Sequence, residues 1–174
     1  AGTRKVLEKS MPSSFKDATV GFYFEELTTT DSGAVYSNYR DAYRFVPGDT
    51  VLVSVNDSDL DVSEKADRIK VVVESKSGHK KEVVLVEQID NHSRDTEGVH
   101  SGRFLGVVKT KLKKEVLPED ESSFPVEEND TLSVNYEDRE NTRPGVPCVR
   151  VGSVQAIKQA SPILTLFHAH KTRV

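Results

Sequence analysis

The sequence predicts an all-β domain, an antiparallel β-sandwich of about seven strands. Apolar residues recur at every second position in several segments, which is typical of half-buried strands. Turn-forming Gly, Pro, Asn and Asp separate these segments. Only 36% of the 174 residues are hydrophobic and 30% are charged. That balance favours a thin sandwich with wide solvated faces over a sheet covered by helices.

The clearest strand covers Thr50–Asn56 and follows a tight Gly48-Asp49 turn. Its valines at positions 51, 53 and 55 point to one side, because successive side chains of a strand alternate between its two faces. An earlier strand is predicted over Ala18–Phe24, which alternates in the same way. Residues 1–16 are expected to form an N-terminal arm or linker.

The polar segment Glu25–Tyr43 is predicted to be a long loop or an irregular sheet edge. Tyr36, Tyr39 and Tyr43 recur in it at spacings of three and four. One helical turn could present the three rings together, and the simpler interpretation is an aromatic plug over one end of the sandwich. These tyrosines are the candidate contact surface.

Four more strands follow, in the order expected of an antiparallel sheet. The first two form a hairpin that closes at Ser77-Gly78. The four predicted strands are Arg68–Ser75, Lys81–Gln88, Gly102–Thr110 and Asp130–Tyr136.

The predicted domain covers residues 17–140. Residues 141–147 belong to a stretch rich in proline and acidic residues, which predicts a linker. Two further apolar runs, Cys148–Ile157 and Ile163–Phe167, lie in residues 148–174. They either supply closing strands of the same sandwich or begin a neighbouring module.

The order of these segments resembles the tandem immunoglobulin-like or cadherin-like repeats of long microbial surface and S-layer-type proteins. The resemblance rests on Tyr43–Asp61, on the hairpin Arg68–Glu87, on Gly98–Val107 and on Asn129–Asp138. It implies an immunoglobulin-like or cadherin-like topology. It also implies a structural role, as a rod segment or adhesive spacer whose partners are neighbouring domains or copies of itself.

An acidic loop after the Thr50–Asn56 strand is the candidate metal site. Asp57, Asp59 and Asp61 alternate with other residues, and Glu64 and Asp67 follow. Calcium prefers six to eight oxygen ligands, several of which such a loop can supply. The alternative is a solvated loop stabilised by its own Asx turns. Cadherin-like modules often place calcium at junctions between domains, and by the resemblance Asp138, Glu140 and Asn141 lie near such a junction.

Other candidate sites are weaker. His168 and His170 would share one strand face and could hold zinc, although solvent exposure is the simpler interpretation. Cys148 is expected to be a small packed apolar residue. Three Asn-X-Ser/Thr triplets mark possible glycosylation at Asn56, Asn91 and Asn129.

The predicted function is structural: one unit of an extracellular fibre, surface layer or adhesive stalk, held by contacts between domains. No catalytic motif and no cofactor is predicted, apart from possible calcium. Net charge is −4, and Lys109–Lys114 is the only dense basic run, which disfavours nucleic acid as a partner. No apolar run is long enough to span a membrane.

Two alternatives stay open on sequence grounds. One is a carbohydrate- or protein-binding β-sandwich that uses its tyrosines. The other is an intracellular scaffold module in the cytoplasm, which the single cysteine and the many charged residues favour.

Overall fold

The computed structural model describes residues 15–63, 65–89 and 101–158. These residues form a curled, mixed sheet without any α-helix, so the all-β prediction is confirmed. Ten strands are present in the described ranges where about seven were predicted. They are β1 (Thr19–Thr29), β2 (Val35–Asp41), β3 (Arg44–Phe45), β4 (Thr50–Asn56), β5 (Arg68–Ser75), β6 (Lys80–Glu87), β7 (Arg103–Leu112), β8 (Ser123–Val126), β9 (Thr131–Asp138) and β10 (Cys148–Ala156).

The strands follow the order β2-β1-β4-β7-β6-β5-β9-β10-β3, and β8 pairs with β7. Two of the pairings are parallel, β3 with β10 and β7 with β8. A purely antiparallel sheet is therefore the wrong expectation at these two pairings. Both β3 and β8 are too short, at two and four residues, to show an alternating pattern in the sequence.

The core lies inside the curl of the sheet. Val51, Val53 and Val55 of β4 are completely buried, as their spacing predicts. Leu52, on the other face of β4, is also buried and lies opposite Tyr23 in the register. The remaining large side chains that are fully buried are Phe45, Phe104, Phe124, Leu85, Leu132, Val73, Val126, Val134 and Val154.

Two glycines allow β1 to approach β10 across the core. A Cβ atom added to Gly152 would lie only 3.2 Å from the Cα atom of Gly21. That distance is too short for a side chain at Gly152 to fit without displacement of its neighbours. The curled sheet therefore brings β1 and β10 together backbone to backbone.

The segment Glu25–Tyr43 contains part of a β-hairpin whose second strand, β2, lies at the end of the strand order. The long loop is therefore wrong, and the alternative of a sheet edge is met by a regular strand. Strands β1 and β2 pair from Tyr23↔Asp41 to Thr29↔Val35. Every residue of β2 is exposed, and an exposed strand needs no alternating apolar residues. Its Tyr and Val residues favour extended backbone by themselves.

Strand β10 belongs to the same sheet as β9. The register runs from Cys148↔Asp138 to Gln155↔Thr131. Residues 141–147, predicted as a linker, connect these two neighbours. The Asn141 side chain holds this connection by donating to the carbonyl oxygens of Asp138 and Val146, at 2.9 and 2.8 Å. The run Ile163–Phe167 and residues 1–14 of the predicted arm lie outside the described residues.

Candidate functional site

The chain enters and leaves this sheet at opposite ends. Before β1 begins, the Ala18 N–H donates to the buried carboxylate of Asp138 at 2.9 Å, and Asp138 faces Cys148 at the start of β10. Strand β10 then runs nine residues, so its first and last Cα atoms lie about 26 Å apart at a rise of about 3.3 Å for each step between residues. It ends at Ala156, beside Phe45. We call the end at Ala18 and Asp138 the entry pole, and the end at Phe45 and Ala156 the exit pole.

The buried Asp57 and the half-buried Tyr136 form a hydrogen-bonded pair at the entry pole. The Tyr136 hydroxyl donates to Asp57 Oδ2 at 2.6 Å, and the Asp59 N–H donates to Asp57 Oδ1 at 3.0 Å. Burial raises the pKa of Asp57, and the nearby carboxylates of Asp138 and Asp59 raise it further, against the opposing effect of the two hydrogen bonds. Burial and the Asp57 carboxylate also raise the pKa of Tyr136. The phenol therefore stays protonated and remains a donor.

A second buried acid, Asp138, is compensated by Arg150. The guanidinium donates to Asp138 Oδ2 from Nε at 3.1 Å and from Nη2 at 3.0 Å. The same Nη2 lies 2.9 Å from Asp17 Oδ1. Asp138 is 0% exposed, and within the described ranges its Oδ1 atom has no hydrogen-bond partner. Arg150 thus supplies the charge compensation that a buried carboxylate needs.

The structure divides the predicted calcium ligands into two groups. Carboxylate oxygens of Asp61, Asp67 and Glu87 lie within 4.8 Å of one another, and among the described residues these three could hold a metal ion. Asp57 and Asp59 are not part of this cluster. Glu64 lies outside the described residues.

Glu87 is the member of this cluster that the sequence prediction missed. It is buried, and it follows Val83 and Leu85 on the inward face of β6. A charged residue at an inward position of an alternating strand is the signal that could have identified it. Its Oε1 accepts from the Gly102 N–H at 2.9 Å and its Oε2 from the Asp67 N–H at 3.1 Å.

Asp67 holds the loop in the same way as Glu87. Its Oδ2 accepts the N–H groups of Val62 and Ser63 at 3.1 and 3.2 Å, and its Oδ1 accepts from the Ser63 hydroxyl at 2.9 Å. These carboxylates therefore fix the loop that follows β4, in addition to any ion that they could bind.

At the exit pole, Asp130 joins the start of β9 to the β5–β6 turn. Its Oδ1 accepts from the N–H groups of Ser77 and Thr131 at 3.1 and 3.0 Å. Its Oδ2 accepts from the Ser77 hydroxyl and, at 3.3 Å, from the Glu127 N–H. Like Asp57 at the entry pole, this carboxylate is buried and gives its pole a fixed shape.

The three candidate tyrosines do not form a plug. Tyr36 and Tyr39 lie on β2 three residues apart, so their side chains point to opposite faces of the strand. Tyr39 lies under the Arg103 guanidinium, 5.5 Å from the ring centroid. Tyr43 follows the strand, is 76% exposed, and donates to Asp41 at 3.4 Å.

Two of the three possible glycosylation sites lie in the described ranges. Asn56 is exposed and donates to the Thr19 hydroxyl at 3.3 Å. Asn129 is exposed in a turn with a positive φ of 62°. Asn91, His168 and His170 lie outside the described residues, and Cys148 is half-buried.

The basic run is paired within the chain at two of its lysines. Lys111 lies 3.7 Å from Asp120, and Lys113 lies 3.7 Å from Glu127. In the part of the chain that the structure describes, no helix has the length and apolar character needed to cross a membrane.

No known family, no curated protein and no solved structure matches this chain.

Proposed function

We propose that this chain is a structural unit, one β-sandwich of an extracellular fibre, surface layer or adhesive stalk whose units contact one another end to end. The observation that carries the proposal is the placement of the two poles. The chain reaches β1 beside Asp138 and leaves β10 beside Phe45, about 26 Å further along the strand direction. Units with this path can follow one another along a line.

The strand order supports the sandwich with an immunoglobulin-like arrangement. Strands β2-β1-β4-β7 form one half and β6-β5-β9-β10-β3 the other. The halves are joined between β6 and β7 by only two residue pairs, Val86↔Leu105 and Glu87↔Phe104. Across the core, β1 approaches β10. A nearly divided sheet that curls back on itself supports an arrangement in two facing layers, as in a sandwich.

The rigidity of both poles also supports a role in end contacts. Buried carboxylates hold the loops at each end, Asp57 and Asp138 at the entry pole and Asp130 at the exit pole. A contact surface that is already ordered loses less entropy when it binds. Units built in this way can meet without refolding their loops.

The experiment compares particle shape before and after a charge is placed on a pole. Val62, in the loop of the entry pole, is 78% exposed, and Val151, in the middle of β10, is 61% exposed. Analytical ultracentrifugation and negative-stain electron microscopy should show elongated oligomers that lengthen with protein concentration. The Val62→Lys variant should shorten them, and the matched control Val151→Lys should not.

Compact monomers of the unmodified protein at every concentration, or an equal effect of the two lysines, would contradict the proposal. The extracellular location is tested separately, by labelling intact source cells with an antibody against the purified protein. Labelling that requires permeabilised cells would contradict that part of the proposal.

A further inference from the structure

The β1–β2 hairpin continues beyond the sheet as a two-stranded ribbon. Strand β4 pairs with β1 only from Thr19 to Tyr23. From Phe24 to Thr29, β1 pairs with β2 alone. We call these residues, together with Val35–Asp41, the ribbon. Strand β2 is at the end of the strand order, so its outer edge has no strand beside it among the described residues.

The hydrogen bonds at the two ends of the ribbon show which backbone groups point outward. The Ala42 N–H donates to the Phe22 carbonyl at 2.9 Å, and the Thr30 N–H donates to the Ala34 carbonyl at 2.9 Å. In an antiparallel ladder, pairs that exchange hydrogen bonds alternate with pairs that do not. The even-numbered residues of β2 therefore bond to β1. The odd-numbered residues, Val35, Ser37, Tyr39 and Asp41, direct N–H and C=O groups away from it.

We infer that this edge pairs with the same edge of a second copy of the chain, antiparallel, about a two-fold axis at Asn38. In that register Val35 faces Asp41 of the second copy, and Ser37 faces Tyr39 of the second copy. Every outward-pointing residue of β2 then exchanges backbone hydrogen bonds. If the axis were at Ser37, Asp41 would face no residue of β2 in the second copy. If it were at Tyr39, the same would hold for Val35.

Side-chain charge favours the same register. With the axis at Asn38, Arg40 lies opposite Tyr36 of the second copy, where a guanidinium and an aromatic ring attract. With the axis at Arg40, the two arginines would face each other and repel. Within its own chain Arg40 already lies 2.7 Å from the Glu26 carboxylate. That face of the ribbon therefore presents balanced charge to an approaching copy.

The edge lacks three of the devices that usually prevent such pairing, which are lysine, proline and a bulge. Strand β2 contains neither lysine nor proline, its two charged residues being Arg40 and Asp41, and its register with β1 is continuous over seven pairs. Exposed apolar residues line the ribbon as well, with Leu27 at 69% and Val35 at 60% exposure.

This pairing uses the outer edge of β2, which the proposed end-to-end contact does not need, so it goes beyond that contact. The ribbon extends past the Thr50 end of β4, and the pairing would join two units through overlapping, antiparallel ribbons. Two-fold pairing of this kind is isologous and closes at a dimer.

The test measures the dimer with analytical ultracentrifugation on two variants at one position. Ser37→Pro removes an N–H that points outward and spares the hydrogen bonds to β1. Ser37→Ala keeps that N–H and serves as the matched control, because both variants lose the Ser37 bond to Glu25. We expect proline to raise the dimer Kd by about tenfold or more, since two backbone hydrogen bonds are lost per dimer, and alanine to leave it within about threefold.

A cross-link tests the register directly. Asn38→Cys should form a disulfide between copies under mild oxidation in a Cys148→Ser background, because residues at the axis face each other in a close, non-hydrogen-bonded pair. Tyr36→Cys is the control and should not cross-link. A dimer unchanged by Ser37→Pro, or cross-linking that is equal at both positions, would overturn the inference. Val62→Lys should leave this dimer intact, so the ribbon contact and the end contact fail independently.

Discussion

Asp49 and Asp130 close the same turn at the start of two different strands. Asp49 Oδ2 accepts the Val46 N–H at 2.9 Å, and the Asp49 N–H donates to the Val46 carbonyl at 2.9 Å. Asp130 is related to Glu127 in the same way, at 3.3 and 3.2 Å. In each turn the carboxylate satisfies an N–H that the strand cannot. Strands β4 and β9 therefore begin on one local structure, although they lie in different parts of the sheet.

The residue before each aspartate has a positive φ, 109° at Gly48 and 62° at Asn129. Gly48→Ala should lower the free energy of unfolding by about 1–2 kcal/mol, because an L-residue is strained there. Asn129→Gly should change it by less than about 0.5 kcal/mol, since glycine adopts this conformation freely. Urea denaturation measures both values. Equal losses in the two variants would contradict backbone strain at positive φ as the cause.

The stability of the exit pole should depend on pH through Asp130. Burial raises the pKa of Asp130, but hydrogen bonds from Ser77, Glu127 and Thr131 outweigh that effect and hold it below the ordinary value of 3.8. A carboxyl whose folded-state pKa is lowered contributes stability that is present above its unfolded pKa. That stability is lost as pH falls through the folded-state pKa.

Between about pH 5 and about pH 2.5, the unmodified protein should therefore lose more unfolding free energy than Asp130→Asn. Urea denaturation across this range checks the difference. Asp31→Asn, in the exposed turn of the ribbon, is the matched control and should follow the unmodified protein. A parallel decline in all three proteins would exclude Asp130 as the source.

The strands that the sequence predicts well are those whose burial leaves an alternating pattern. In β4, Val51, Val53 and Val55 are all buried, so the period of two is visible. The β5–β6 hairpin is marked both by this pattern and by Gly78, whose φ is 101°. The prediction placed these elements to within a residue or so of their observed bounds.

Sequence patterns could not reveal the features that depend on neighbours distant in the chain. Strand β2 is exposed on both faces, so it carries no periodic signal. Glu87 joins Asp61 and Asp67 only because β6 ends beside the loop after β4. Asp138 meets Arg150 through the β9–β10 register, twelve residues apart. Such partners are determined by strand pairing, which local sequence does not specify.

Removing Arg150 should destabilise the fold strongly. Arg150→Met leaves the fully buried Asp138 carboxylate without the guanidinium that compensates its charge, and an uncompensated buried charge is strongly destabilising. Arg139→Met is the matched control, because Arg139 and Glu137 form an exposed ion pair at 3.4 Å, worth about 0–1 kcal/mol. Urea denaturation of both variants gives the comparison. Similar losses would mean that the Asp138–Arg150 pair contributes no more than a surface pair.

Gly102 should tolerate no side chain, because its backbone lies against the loop after β4. A Cβ atom there would lie 2.7 Å from Ser58 Cα, and its φ is 61°. Gly102→Ala should lower the free energy of unfolding by more than about 2 kcal/mol, through steric overlap added to backbone strain. Gly33→Ala is the matched control, with a φ of 82° and no atom within 4 Å of the added Cβ. It should show only the backbone strain, about 1–2 kcal/mol, and equal effects would contradict the close approach.

Calcium binding, which the acidic loop predicts, is tested by melting curves. If calcium binds only the folded state, a concentration 100-fold above Kd adds about 2.7 kcal/mol of stability and raises the Tm. The oxygens of Asp61, Asp67 and Glu87 lie close enough to share one ion, so Asp61→Asn should reduce this rise. Asp31→Asn removes the same charge from the ribbon turn and should not. Identical melting curves in calcium and in EDTA would refute the prediction, and an equal loss in both variants would place the ion elsewhere.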